Sequence, residues 1–267
     1  MNILISIAGA GSRFTEKGYS THKPVLPLTS RHNRDTVPLV VEAVRDLPVN
    51  FQSDDTNLLF IMRDFHITDG VKTELLAYFP RAQFIVIDAL TEGQASTCLL
   101  ARAHFDTDKP MMIAACDNGI DLSRSAFEAQ TTSASALIFT FRGNYAVAQK
   151  PKAYGWVRTD GTAVTGVSIK QPISSSPLAD HAFVGTFWFQ SGRDFFVAAD
   201  QMIEANDRIN GEFYVDQVFK YLVDAGQQVR VIEVDRYLCW GTPEDYEAYE
   251  ATLAYWTKFV SKEKWVT

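Results

Sequence analysis

The stretch ISIAGAGSRFTEKGYSTHKPVLPL, residues 5–28, decides how the chain is read. A short apolar run stops at Gly9 and Gly11, a cation follows at Arg13, and a second cation, Lys23, precedes Pro24. The run over 2–8 predicts a buried parallel strand, because strands covered on both faces read as continuous apolar stretches. Glycines after such a strand allow a sharp turn and bring backbone N–H groups close to a ligand, which suits phosphate oxygens. Three kinds of loop compete. A Walker A loop needs Gly, four residues, then Gly-Lys-Ser/Thr, a pattern not found here. A dinucleotide fingerprint, G-x-G-x-x-G, is met at Gly9 and Gly11 but broken at Phe14. The third adds cations: Arg13 grips phosphate bidentately and Lys23 acts as a point charge. With the backbone of Ala8, Gly9, Ala10, Gly11 and Ser12, these two suit a triphosphate and a departing pyrophosphate.

Outward from this loop, apolar spacing predicts strands at 57–62, 82–88 and 109–117, with helices at 37–48, 67–79 and 93–105. Alternation of this kind argues for βαβ units and an open, mostly parallel sheet with right-handed crossovers. The second half changes character. Strands are expected at 135–141, 155–160, 163–170 and 183–190, with a turn signal at Asp160-Gly161. Helices at 192–206 and 212–225, a strand at 228–235 and a final helix at 242–260 follow. Thr242 caps that last helix, Pro243 suits its first position, and Glu244 and Asp245 suit its first turn. The expected fold class is α/β: a three-layer, Rossmann-like, mixed but mostly parallel sheet flanked by helices, with added antiparallel strands in the C-terminal half. The loop-like stretch 171–180 reads as a surface loop, so residues 1–267 are expected to form one domain.

Composition narrows the class. The 267 residues carry 25 Lys plus Arg against 32 Asp plus Glu, a formal net charge of −7. That disfavours a general nucleic-acid binder, which needs a basic face. Three scattered cysteines, Cys98, Cys116 and Cys239, contain no C-x-x-C and read as reduced thiols. No leader pattern and no membrane-length apolar stretch is seen, so no membrane partner and a cytoplasmic location are expected. The five histidines form no ligand-spaced set and read as surface or core residues.

Gly9, Gly11, Ser12, Arg13 and Phe14, followed by His22-Lys23-Pro24-Val25, resemble the G-x-G-S/T-R-[FL]…P-K-P-[LV] signature of the sugar-phosphate nucleotidyltransferases. His22 replaces the first proline of that signature. Four further segments fall in the family's order. TEGQAST (91–97) is similar to its nucleobase-contacting segment, with Gly93 and Ala95 small enough for close approach. Gln94 and Asp88 carry groups able to read a base edge. IAACDNG (113–119) places Asp117 where the family binds Mg²⁺. YGWV (154–157), with Gly155, and VSIKQPIS (167–174), with Lys170, resemble sugar and sugar-phosphate segments, although Ile169 stands where a glutamate is expected. FVGTFWF (183–189) matches through Gly185. LCWGTPEDY (238–246) matches the family's W-x-D-x-G-T-P-E-D-L except that Cys239 replaces the second metal-binding aspartate. A neutral thiol is a poor Mg²⁺ ligand. Either Asp117 holds the metal with phosphates and water, or another acid substitutes, with Asp216 and Asp235 the candidates.

The resemblance implies an NTP-binding half, 1–130, and an acceptor-binding half, 131–267. It implies transfer of NMP from an NTP to a sugar 1-phosphate or similar phosphorylated metabolite, with pyrophosphate released and Mg²⁺ as cofactor, for the synthesis of cell-surface polysaccharide precursors. Arg13 and the loop amides would hold the β- and γ-phosphates. Lys23 would meet the α-phosphoryl charge, Asp117 the metal and Lys170 the sugar phosphate. A homo-oligomer is compatible with the sequence. The departures at Cys239 and Ile169 keep a non-catalytic nucleotide or nucleotide-sugar binding relative, acting as a sensor or partner module, as the alternative. A nicotinamide-cofactor enzyme is disfavoured by Phe14.

Overall fold

The computed structural model describes residues 1–263. Strand β1 (Asn2–Ser6) leads into a short helix α1 (Ser12–Glu16), and a hairpin follows of β2 (Pro27–Thr29) and β3 (Thr36–Pro38). Then come α2 (Leu39–Arg45), β4 (Asn57–Arg63), α3 (Phe65–Thr68), α4 (Val71–Tyr78), β5 (Gln83–Ile87), α5 (Gln94–Leu99) and β6 (Met111–Ala114). Strand β7 (Asn118–Asp121), α6 (Arg124–Thr131), β8 (Ala136–Phe141) and α7 (Tyr145–Gln149) precede β9 (Gly155–Asp160), β10 (Ala163–Ile169) and β11 (His181–Phe189). The chain continues through α8 (Gly192–Glu204), α9 (Val215–Asp224), β12 (Val229–Glu233), β13 (Arg236–Cys239) and α10 (Pro243–Glu263).

Continuous apolar runs do what their chemistry requires. Ile3, Leu4 and Ile5 are fully buried. Alternation sends Ile3 and Ile5 to one core cluster and Leu4 to another. The first cluster takes Val40, Val44, Val71, Leu75 and Phe127 from α2, α4 and α6. The second takes Ala95 and Cys98 of α5 with Phe195, Met202 and Phe219 of α8 and α9. Helices therefore cover both faces of the sheet. Side chains cap several of them: Ser123 accepts from the Ala126 N–H of α6, Asn144 from Ala146 of α7, and Thr242 from Asp245 of α10.

The main sheet has nine strands in the order β5-β4-β1-β6-β11-β8-β12-β10-β9. Strands β5, β4, β1 and β6 are parallel, and in the rest β10 and β11 run against the other strands. The mixed, mostly parallel α/β arrangement expected from the sequence is present. Its C-terminal end departs from an open Rossmann-like sheet. Strand β9 also pairs with β11, His181 with Val157 and Ala182 with Trp156, so β11, β8, β12, β10 and β9 form a closed ring. The cause lies in β11. Its register slips between Phe183 and Phe187, around Gly185 at φ +91°. A residue in that conformation bends a strand, so the Phe187–Phe189 end of β11 serves β6 and its His181–Ala182 end meets β9, while β8 pairs on both sides of the bend.

Two small sheets were not evident in the sequence. β2 pairs with β3, and β13 pairs with β7, setting Cys239 opposite Asn118. Phe14, the residue that breaks the dinucleotide pattern, is 2% exposed and packs with Leu26, Leu28, Leu39 and Trp240 in a third apolar cluster. It anchors the glycine loop to the β2–β3 hairpin and to the segment after β13.

Candidate active site

The chain runs from β1 outward through β4 to β5, then returns to place β6 on the other side of β1. Loops at the carboxyl ends of β1 and β6 therefore diverge, the position where open parallel sheets leave a ligand crevice. Two adjoining clefts lie there, of about 400 and 380 Å³, and share Ser6, Gln94 and Cys116.

The first cleft is bounded by the loop after β1, including Ala8, Gly9, Ala10 and Gly11, and by Lys23, Gly93 and Gln94. Gly11 adopts φ +63°, the turn that starts α1. The second cleft brings Arg13 and Asp117 together with Gly155, Lys170, Gly185 and Asp216. Residues from both ends of the chain thus converge on one region. Arg13 is exposed and makes no side-chain hydrogen bond or ion pair among the described residues.

Lys23 stands at the junction. Its Nζ donates to Asp117 Oδ2 at 2.5 Å and to the Gly241 carbonyl at 3.1 Å, and lies 5.7 Å from the centre of the Phe14 ring. Burial alone would lower the ammonium, but Asp117 and then Cys116 outweigh it and hold Lys23 above its ordinary value. Lys23 is cationic at neutral pH.

The environment of Cys239 is acidic. Burial first, then Asp117 and Asp245, push its thiol up to about 12, so it is a neutral thiol at neutral pH. Its Sγ contacts Asp245 Oδ2 at 3.4 Å, and that carboxylate also accepts from Thr242 Oγ1 at 2.7 Å. Asp245 lines the same cleft as Asp117. It is the carboxylate beside Cys239, read from the sequence only as a first-turn residue of the last helix. Asp216 lines this cleft too, and burial pushes its carboxyl up to about 6 against the pull of Lys170. Asp235 does not line it: it is exposed, and its N–H bonds the Asp121 carbonyl.

Several expected nucleotide contacts have other surroundings. Ser12 and Asp88 are exposed and line neither cleft. Ala95 is fully buried and donates its N–H to the Phe213 carbonyl at 3.0 Å. A Cβ on Gly93, at φ +130°, would lie 2.5 Å from the Phe213 carbonyl oxygen, so close backbone packing requires glycine there. Gly155 is small for a similar reason: a Cβ would stand 2.6 Å from the Phe183 ring and 2.7 Å from Asp216 Oδ2. Lys170, at φ +60°, donates to the Ala153 carbonyl at 2.6 Å and sits 5.5 Å from the centre of the Tyr214 ring.

Other lining residues carried no sequence signal. Asn118 donates to the Val184 carbonyl at 2.7 Å and ties β7 to β11. Phe65 and His66 form a wall of the first cleft together with His22 of the Lys23 motif. The one cluster of three candidate ligands within 4.8 Å among the described residues is His32, Glu42 and Asp46. It is engaged by Arg31, 3.0 Å from Asp46, and by Ser30, 3.0 Å from Glu42, and none of its members lines either cleft. It reads as a structural network.

Among the described residues, no helix is long and apolar enough to cross a membrane. No protein-family model matches the chain, and no curated protein matches it by sequence. Solved structures do match in fold. A nucleoside-diphosphate-sugar pyrophosphorylase from Vibrio cholerae RC9 superposes with a TM-score of 0.75 at 20% identity, covering 94% of this chain and 100% of that one. A Bacillus anthracis protein described as a glucose-1-phosphate thymidylyltransferase, in complex with a sucrose, gives 0.72 at 19% identity over 94% of each chain. The inositol-1-phosphate CTP transferase from T. maritima gives 0.67 at 13% identity over 93% of each. Nearly the whole chain takes part in each superposition, and by its architecture the protein has the nucleotidyltransferase fold.

Proposed function

We propose that the protein transfers a nucleotidyl group from an NTP to a phosphorylated acceptor of the sugar 1-phosphate class. The observation that carries this reading is Lys23, an ammonium fixed between Asp117 and the Gly241 carbonyl where the glycine-loop cleft meets the Lys170 cleft. In the reaction, an acceptor phosphate oxygen attacks the α-phosphorus, the bond from the α-phosphorus to the bridging oxygen breaks, and pyrophosphate leaves. The nucleophile is already an anion, so no strong base is needed, and catalysis rests on alignment and charge neutralisation. Arg13 and the loop at Gly9–Gly11 hold the leaving phosphates, Lys23 meets the charge at the α-phosphoryl group, and Lys170 holds the acceptor phosphate. Residues 1–130 contribute most of the NTP side and 131–267 most of the acceptor side, within one domain.

The donor set is compatible with Mg²⁺, which takes one or two carboxylates and completes its shell with phosphate oxygens and water. Asp117 would hold it, with Asp245, the carboxylate beside Cys239, as a second ligand. Bound there, the ion would neutralise phosphate charge. A role in cell-surface precursor synthesis and a cytoplasmic location accord with this chemistry.

The second reading is a nucleotide-binding module without turnover, favoured by the neutral Cys239 thiol between Asp117 and Asp245. A pyrophosphate-release screen of the four NTPs against a panel of sugar 1-phosphates separates the two. Release with one pairing supports transfer. NTP binding by calorimetry with no release from any pairing supports the module and refutes transfer.

A further inference from the structure

His22 stands immediately before Lys23, and its ring is held on several sides. Its Nε2 lies 2.5 Å from Asp69 Oδ2, its ring centre 4.9 Å from that of Phe65 and 5.1 Å from that of His66. His66 is itself fixed: it is 2% exposed, burial pushes it down to about 4, and its Nδ1 accepts the Arg63 N–H at 3.3 Å. His22 thus bears on a rigid neutral neighbour and on an anion at the junction of α3 and α4.

The segment between α1 and Lys23 has few other ties. Lys17 pairs with Glu244 at 3.0 Å and the Tyr19 hydroxyl with Glu247 at 2.9 Å, both on α10. The His22–Asp69 contact is its side-chain hydrogen bond to α3–α4, made beside the ring contacts with Phe65 and His66 at the residue immediately before Lys23. The His22 carbonyl also accepts the Val25 N–H at 3.0 Å, closing the short turn over Lys23–Val25.

We propose that the His22–Asp69 contact is a latch that sets Lys23 at the reacting phosphate, making His22 and Asp69 positioning residues. The inference rests on the nucleotidyl-transfer reading only in taking Lys23 as the cation at that phosphate. Two observations give it a distinctive consequence. The pair is exposed, with Asp69 half exposed and His22 about one-third, so it adds little to global stability. The His22 backbone has φ −61° and ψ 135°, a conformation proline adopts unaided, and its N–H donates no hydrogen bond among the described residues. A proline at 22 therefore replaces a side-chain tie by backbone restriction.

The test is competitive acetylation of the folded full chain, with Lys23 read by peptide mass spectrometry after digestion, in wild type and in His22→Ala, Asp69→Asn and His22→Pro. The latch predicts Lys23 labelling up to about fivefold faster in the first two variants and within about twofold of wild type in the proline variant, the factor by which loss of an exposed pair shifts a local equilibrium. Melting temperatures stay within about 3 °C throughout. Where turnover is found, kcat falls in the alanine and asparagine variants and recovers with proline. Wild-type labelling in His22→Ala or Asp69→Asn, or alanine-like labelling in His22→Pro, overturns the latch. A wild-type protein that turns over no NTP while showing the predicted labelling pattern instead removes the proposed function and leaves the latch standing.

Discussion

Asp216→Asn changes one atom type at a partly buried carboxyl that lines the second cleft, and isolates the cost of ionising it. Asp216 Oδ2 occupies the space a Cβ on Gly155 would need, 2.7 Å away, and the Phe183 ring closes the same slot. Burial is the largest influence and raises its carboxyl from 3.8 to about 6, with Lys170 opposing. A raised carboxyl contributes stability that is fully present below its unfolded value and is lost as pH rises through its folded value. For Asp216 the window runs from 3.8 to about 6. At 1.36 kcal/mol per pH unit, the loss across it is on the order of 3 kcal/mol. Asparagine has the same shape and cannot ionise, so it escapes the loss. Urea unfolding at pH 7.5 should show Asp216→Asn more stable than wild type by up to about 3 kcal/mol, with the gap closing near pH 4. A variant equal to or less stable than wild type at pH 7.5 would refute the placement of an ionised, partly buried Asp216.

Three more outcomes follow from the packing and from the acidic group around Cys239. Phe14→Ala removes the ring that anchors the glycine loop and should cost about 3–5 kcal/mol in urea unfolding; a loss below about 1 kcal/mol would mean that the loop is held elsewhere. Gly93→Ala drives a methyl to 2.5 Å from the Phe213 carbonyl oxygen, and should lower stability by about 2 kcal/mol or more, with wild-type melting as the contrary result. Cys239→Asp replaces a neutral thiol by a carboxylate beside Asp117 and Asp245. It should tighten Mn²⁺ binding, followed by electron paramagnetic resonance, by about tenfold, as added ligand charge does for hard cations; unchanged affinity would place the metal away from Cys239.

The parallel half of the fold was legible because burial on both faces writes itself as apolar runs. Ile3, Leu4 and Ile5 feed two different core layers, and the run needs no alternation. Short elements left no such trace. Strands β2, β3, β7 and β13 have three or four residues each, too few for a period to emerge. Helix α6 buries only Phe127 and is otherwise too polar to declare itself. Ring closure depends on one bend at Gly185, a tertiary event that β-propensity does not encode. At the site, Arg13, Lys23, Asp117 and Lys170 were legible as charges near turns. Gly93 was legible as a small residue, but its reason lies in the Phe213 backbone, over a hundred residues away. Asp245 was hidden by an adequate local explanation, since an acid in a first helical turn needs no other. The His22–Asp69 contact spans 47 positions, and nothing local joins its ends.

Whether Lys23 serves the transfer of a nucleotidyl group is tested most directly by pyrophosphate release for wild type, Lys23→Ala and Lys220→Ala, with the NTP and sugar 1-phosphate pairing that supports turnover. Lys220 pairs with Asp207 at the surface, away from both clefts, and serves as the control. Release should fall about a hundredfold or more for Lys23→Ala, in line with the loss of one preorganised charge at a transition state, and stay at the wild-type rate for Lys220→Ala. Wild-type release from Lys23→Ala would contradict that role.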